Sequence, residues 1–582
     1  KMSFITSLRW AVPVVLLLGG QLSAGTSSPN RAKPASLSDS TYRRSLTYFF
    51  DRPARDMMEE LPLGNGRLGM LSDGGIQEQI ITLCESSMWS GSVDSTAWNN
   101  EAVKHLPTIR QLLLTGKPKE AEDLMYRTFV CGGQGSGRGN GANVPYGSYQ
   151  VGGFLRLNWG KSPFPSDYRR SLSLSEGVSE ESFEVGAQPY RSKRLYSVLG
   201  KEVQVVSLTN HSTEAKQDTL RLSLTRPENG QRTIGAGYLT LAGQLPDGRQ
   251  GKGLRYAIVV RPVLPQGGKL IARDNELLIV DAPVINLYIA HNTNYYNKRS
   301  PLIALGVEQL IQAEAWGEEK LYQEHVHQFS SQMDRVRVHL GSGDAARGSL
   351  PIDRRLSAYH EHPESDPALA SLYLQLGRYL LLSSTRPGAL PPNLQGLWTE
   401  TIQAPWNGDY HLNINLQMNY WPAEKGALSE TVSPLTDWIE SIVPSGEKTA
   451  RTFYGAKGWV THVLGNVWQF TAPGEHPSWG ATNTSAAWLC QHLFNHYRYS
   501  QDRAYLGRIY PLMQGAARFF LSTLVEDPNT KYLVNVPTTS PENSYYTPDG
   551  KEVAVVAGST MDNQIIRELF TNTREAALFL KR

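Results

Sequence analysis

A chain of 582 residues with 40% hydrophobic and 19% charged side chains has the makeup of roughly three to five packed units at ~100–200 residues each, which excludes a single small module and a disordered polymer. With 57 basic side chains against 54 acidic ones, the net charge of +3 is too weak a field to gather phosphate backbones or anionic lipid, so neither nucleic acid nor membrane insertion is expected. The 13 Trp and 27 Tyr supply flat amphipathic faces that suit sugar rings as well as cores.

In chain order, Lys1 and Arg9 flank an apolar run from Trp10 to Leu18, with small residues near Ala24. This is the pattern of an export signal over 1–24, too short to span a bilayer, followed by a polar linker over 25–40; it predicts a periplasmic or extracellular protein. Cys84, Cys131 and Cys490 lie far apart with no metal-ligand spacing, so neither a disulfide framework nor a structural zinc site is expected, and any cofactor would have to be held by other residues. Over 41–300, short β-rich runs between turn residues, such as Val203–Leu208, Leu220–Leu224 and Tyr256–Val260, predict a large antiparallel β-sandwich. Two helices, Ala102–Leu114 and Pro118–Tyr126, interrupt it. The glycine-rich stretch from Gly132 to Gly141 lacks both the G-x-G-x-x-G frame and a following Gly-Lys-Ser/Thr, and reads as a flexible loop rather than a phosphate cradle.

The period then changes. Leu302–Gln312 and Glu318–Val336 predict a helical linker over 301–350, with His325 and His327 on its surface. From 351 to 582 helices take over: a buried one at Ala368–Ser383, then Ser429–Val443, Ser485–Tyr499, Arg503–Leu524 and Met561–Leu580. Their connections are long and rich in Trp, Pro, Asn and Gly, which places binding chemistry there and predicts a helical toroid or barrel.

The densest connection, Asn393–Glu424, gathers Trp398, Trp406, Trp421, Tyr410, Tyr420 and His411 among six Asn and Asp residues. Amides are costly to bury without partners, and together with aromatics they are the materials of a sugar site: hydrogen bonds to hydroxyls, stacking on ring faces. Alternation along His411-Leu412-Asn413-Ile414-Asn415 predicts an extended stretch presenting His411, Asn413 and Asn415 on one side. A second candidate is Glu542, in the proline-bounded loop Pro537–Asp549, where Tyr545 and Tyr546 are expected to desolvate it and fit it to donate a proton near neutral pH. Asp562 reads as a charge at a helix N-terminus.

LPLGNGRLGML from Leu61, LPPNLQGLW from Leu390, APWNGDYHLNINLQMNYWPAE from Ala404, GWVTH from Gly458, SPENSY from Ser540 and GSTMDNQIIRELF from Gly558 closely resemble glycoside hydrolase family 95. The resemblance implies an N-terminal β-sandwich, a helical linker and an (α/α)6 barrel carrying the site, and an exo-acting, inverting, cofactor-free enzyme releasing α-linked L-fucose from oligosaccharides or glycans. It assigns Glu542 as general acid and Asn413 and Asn415 as the amides holding the attacking water. His411, Trp398, Trp406, Trp421 and His462 are the expected substrate-binding residues. The family's water-polarising Asp has no counterpart up to Arg582, so the barrel is expected to be incomplete at the C-terminus. His462 is followed by Val463 and Leu464 where many fucosidases of the family carry further polar residues. Two alternatives therefore stand beside the fucosidase: an α-L-galactosidase on the same scaffold, and a non-catalytic glycan-binding homologue.

Overall fold

The computed structural model describes residues 39–228, 230–235, 237–298, 301–341 and 345–582. The expected export signal and all but the last two residues of the linker lie outside them. The residues from Arg43 onward form one compact unit.

Among the described residues, the N-terminal domain is built on two antiparallel sheets. The nine-stranded sheet has Thr47–Phe50 at one edge, Gln204–Asn210 beside Val284–Thr293 at its centre and Gln231–Gly235 at the other edge; the seven-stranded sheet runs from Lys269–Arg273 to Leu61–Gly64. Alternation drives the layering. In Gly153–Asn158 every second residue is buried, and that buried face meets the other sheet so closely that a Cβ at Gly153 would lie 2.8 Å from Leu241. Between the sheets, Glu181 accepts hydrogen bonds from Ser72, from Gln79 (2.8 Å) and from Lys193 (2.8 Å), so the buried charges are paired and satisfied.

The linker helices Leu302–Trp316 and Glu318–Met333 pack across the outer face of the nine-stranded sheet, where Leu310, Ala313 and Leu321 join Tyr196, Val205, Val259 and Tyr288 in one core. Gly306 makes the approach possible, since a Cβ there would come 2.7 Å from Val259. His325 is not a surface residue. It is fully buried, accepting from the Leu199 amide (3.2 Å) and lying 3.1 Å from the Gly177 carbonyl, and burial lowers its pKa to about 4.

Beyond the linker the chain is helical. The main helices are Pro367–Ser384, Asn415–Lys425, Val432–Tyr454, Ser485–Ser500, Arg503–Thr523 and Thr560–Leu580. Two differ from expectation. Pro367–Ser384 is only partly covered, since Tyr373 is 77% exposed. Val432–Tyr454 runs straight through Pro444, where the sequence reading ended it; buried Trp438, Ile439, Ile442 and Phe453 on one stripe outweigh the lost backbone bond, and Gly455, left-handed at φ +61°, stops the helix instead. Among the described residues no helix is long and apolar enough to cross a membrane, and no group of three or more His, Cys, Asp and Glu is placed to hold a metal ion.

Candidate active site

A cavity of about 690 Å3 opens on the helical domain, lined by Trp406, Asp409, His411, Glu475 and Glu542 from that domain and by Tyr126, Ser136 and Arg138 from the excursion between the sandwich strands. His411 is positioned by a short bridge in which Tyr410–His411 pairs with Leu464–Gly465. Beneath it, fully buried Asp409 binds His411 Nδ1 and accepts a hydrogen bond from the Tyr146 hydroxyl at 2.7 Å. Burial alone would lower the pKa of His411, but the Asp409 carboxylate more than offsets this, helped by Glu542, and raises it above the ordinary histidine value.

Glu542 lines the cavity and accepts from Asn413 Nδ2 at 3.4 Å. It is exposed, not desolvated as expected. The reason lies in the hairpin after it: Tyr545–Tyr546 pairs with Glu552–Val553, the Tyr545 hydroxyl turns away to the Val555 carbonyl (3.1 Å), and Tyr546 is left 73% exposed, so neither ring covers the carboxylate. Nor does the His411–Asn415 stretch stay extended. Asn415 opens the helix Asn415–Lys425 and is exposed at its head, while the Oδ1 of Asn413 is buried without a partner.

Three expected sugar contacts lie elsewhere. Trp398 is buried against Leu71 and Leu397 and donates to the Leu63 carbonyl at 2.9 Å, so it seals the sandwich to the helical domain. His462 is wholly buried, stacked on Tyr454, with its ring nitrogens at 2.8 Å from the Tyr454 hydroxyl and the Thr471 carbonyl; burial lowers its pKa to about 4. Its neighbours Val463 and Leu464 reach the cavity instead. Trp421 is 54% exposed on the Asn415–Lys425 helix, away from the cavity lining. Asp562 is fully buried at the helix start, accepting from Thr484 Oγ1 (2.9 Å) and Asn535 Nδ2 (3.2 Å), a brace behind the loop that carries Glu542.

The sequence reading passed over Glu475 and Arg138. Ser136 donates to Glu475 Oε1 through both its amide (2.5 Å) and its hydroxyl (2.6 Å), while Glu475 Oε2 is buried without a partner. The glycine-rich segment permits this contact, since a Cβ at Gly135 (φ +54°) would sit 2.5 Å from Glu475 Oε1. That segment is pinned rather than free: Asn407 accepts from the Gly141 amide (2.6 Å) and donates to the Ser136 carbonyl (2.9 Å), and Gln403 donates to the Gly139 carbonyl (2.9 Å). The only local signals were a charged residue in an otherwise uncharged glycine run, Arg138, and an acid in the Pro/Gly-rich stretch Ala472–Gly480.

Two family models match the two domains in turn: the glycosyl hydrolase family 65 N-terminal domain over residues 48–298 and the glycosyl hydrolase family 95 catalytic domain over residues 317–582. The chain is 30% identical to alpha-L-fucosidase 2 of Arabidopsis thaliana over 97% of its own length and 70% of that protein's, and 32% identical to the probable alpha-fucosidase A of Aspergillus niger over 88% of its own length and 64% of that protein's. The chain belongs to glycosyl hydrolase family 95. Among solved structures, a putative kojibiose phosphorylase from human microbiome superposes with a TM-score of 0.54 at 11% identity, covering 88% of this chain and 61% of that one, a likeness of fold alone.

Proposed function

We propose that this chain is the catalytic part of an exported, exo-acting, inverting glycoside hydrolase that removes terminal α-linked L-fucose from glycans, on an (α/α)6 barrel. The observation that carries the reading is one cavity that presents Glu542, His411 and Glu475 together, with Asn413 in reach of Glu542. Glu542 is the general acid, giving its proton to the departing glycosidic oxygen. Asn413, with Asn415 beside it at the exposed head of its helix, holds the attacking water, the sugar entering between Asn413 and Glu542 in place of their direct contact. An amide is too weak a base to take that proton unaided, so the step needs a polarising carboxylate of the kind the family resemblance implies. The buried, unpartnered Oε2 of Glu475 accepts a sugar hydroxyl.

The relatives' names, alpha-L-fucosidase 2 and probable alpha-fucosidase A, support fucose. So does the apolar cavity wall at Val463 and Leu464, which favours the methyl of fucose over the hydroxymethyl of L-galactose by only ~1–3 kcal/mol. Minor α-L-galactosidase activity should accompany the main one. Proton NMR of the first sugar released from an α-fucoside should show the β-anomer; an initial α-anomer would mean a double displacement and would remove this assignment. Binding of L-fucose without any turnover of α-fucosides would favour the non-catalytic glycan-binding reading.

A further inference from the structure

We propose that the glycine-rich segment 132–141 of the N-terminal domain builds a leaving-group subsite, in which a neutral sugar next to the cleaved residue stacks on Trp406 and receives hydrogen bonds from Arg138. The inference rests on the reading above only for which sugar sits deeper in the cavity.

Arg138, Trp406 and Asn407 all line the cavity, and all are held in the left-handed backbone region, at φ +55°, +48° and +62°. Non-glycine residues persist there only where their surroundings over-determine them. Here the determinants are the Asn407 and Gln403 hydrogen bonds to Gly141, Ser136, Gly139 and Ala142, which tie the segment to the helical domain across more than 250 residues of chain. What this arrangement presents is open toward solvent. Trp406 is 66% exposed, and Arg138 makes no ion pair or hydrogen bond among the described residues, although Glu475, Glu542 and Glu552 line the same cavity. A flat apolar face beside an unengaged donor fork is what a sugar ring needs: stacking for its C–H face, donors for its hydroxyls. Tyr126 and His476 line the same cavity, with ring centroids 5.0 Å apart. A cavity of about 690 Å3 holds more than one deoxyhexose. Three carboxylates line the cavity with this one guanidinium and disfavour an anionic sugar, so the occupant is neutral.

The test is titration calorimetry in the Glu542→Gln background, where ligand is not consumed, with L-fucose, lactose and the trisaccharide 2′-fucosyllactose as probes. The trisaccharide should bind at least about tenfold tighter than L-fucose. Arg138→Ala should remove most of that advantage while leaving L-fucose affinity unchanged, Arg138→Lys should be intermediate, and Trp406→Ala should remove most of the trisaccharide's advantage. Arg138 is exposed, so its variants are expected to fold, which circular dichroism checks. If the trisaccharide binds no tighter than L-fucose, or its advantage survives both alanine variants, the subsite is wrong. So it is if lactose binds more weakly than the same disaccharide with a glucuronate in place of its glucose. Failure of L-fucose to bind, with lactose binding that depends on Arg138, would overturn the fucosidase reading and leave the subsite standing.

Discussion

Glu181 in the sandwich and Glu475 in the cavity wall are both carboxylates held by residues distant in the chain, yet they are finished differently. Both oxygens of Glu181 are engaged, by Ser72, Gln79 and Lys193, and the group is sealed between two sheets. Glu475 has one oxygen clamped by Ser136 and the other left buried and unpartnered at the cavity. A buried polar group without a partner costs free energy, so Glu475, which lines the cavity, keeps a capacity to accept a hydrogen bond that Glu181 does not. Asn413, with its Oδ1 unpartnered beside Glu542, belongs with Glu475.

The largest effect expected on the cavity side is from Glu542→Gln, which keeps the shape but removes the proton: hydrolysis of natural fucosides should fall by ~10²–10⁴. Fucosyl fluoride, whose leaving group needs less protonation, should lose far less. Equal losses on both substrates would show that Glu542 is not the acid. On the structural side, Glu181→Ala strands Lys193 between the sheets, and breaking such a buried pair costs ~3–5 kcal/mol. Denaturant unfolding of the variant should show that loss; a stability unchanged from the parent would mean that the network contributes little.

Glu475→Gln separates the two kinds of carboxylate most directly. L-fucose affinity should drop ~10–100-fold for one charge-assisted hydrogen bond, with the melting temperature nearly unchanged. A lower melting temperature with unaltered binding would place Glu475 with Glu181. The smallest effect concerns the seam between the domains, where Glu60 faces Glu400. Burial first, then the Glu400 and Asp73 charges, raise the Glu60 pKa from 4.5 to about 8. A folded-state value above the unfolded one means stability that is fully present below pH ~4.5 and is lost as pH rises through about 8. Glu60→Gln should therefore melt a few degrees above the parent at pH 9 and converge with it near pH 5, as read by thermal unfolding across pH. A constant offset at all pH values would remove Glu60 as the cause.

The sequence by itself determined the succession of strands and helices, because alternation with period two and apolar stripes with period near 3.6 are local properties of the chain. It also marked His411, Trp406, Asn413 and Glu542, since unusual density of amides and aromatics is visible without a fold. What only the tertiary structure decided was which of these residues meet, and which are sealed away. Aromatic density marked Trp398 and the family resemblance marked His462 as sugar contacts, but one closes the seam under Leu63 and the other lies beneath Thr471. His325 sits among charged neighbours in sequence, yet it is buried once its helix docks on the sheet. Pro444 carries a local stop signal that a buried stripe overrides. The Glu475 carboxylate and the segment that clamps it are separated by 339 residues at Ser136. No periodicity or spacing encodes such a contact; it exists only because folding brings a glycine run close enough for backbone amides to reach a side chain of the other domain.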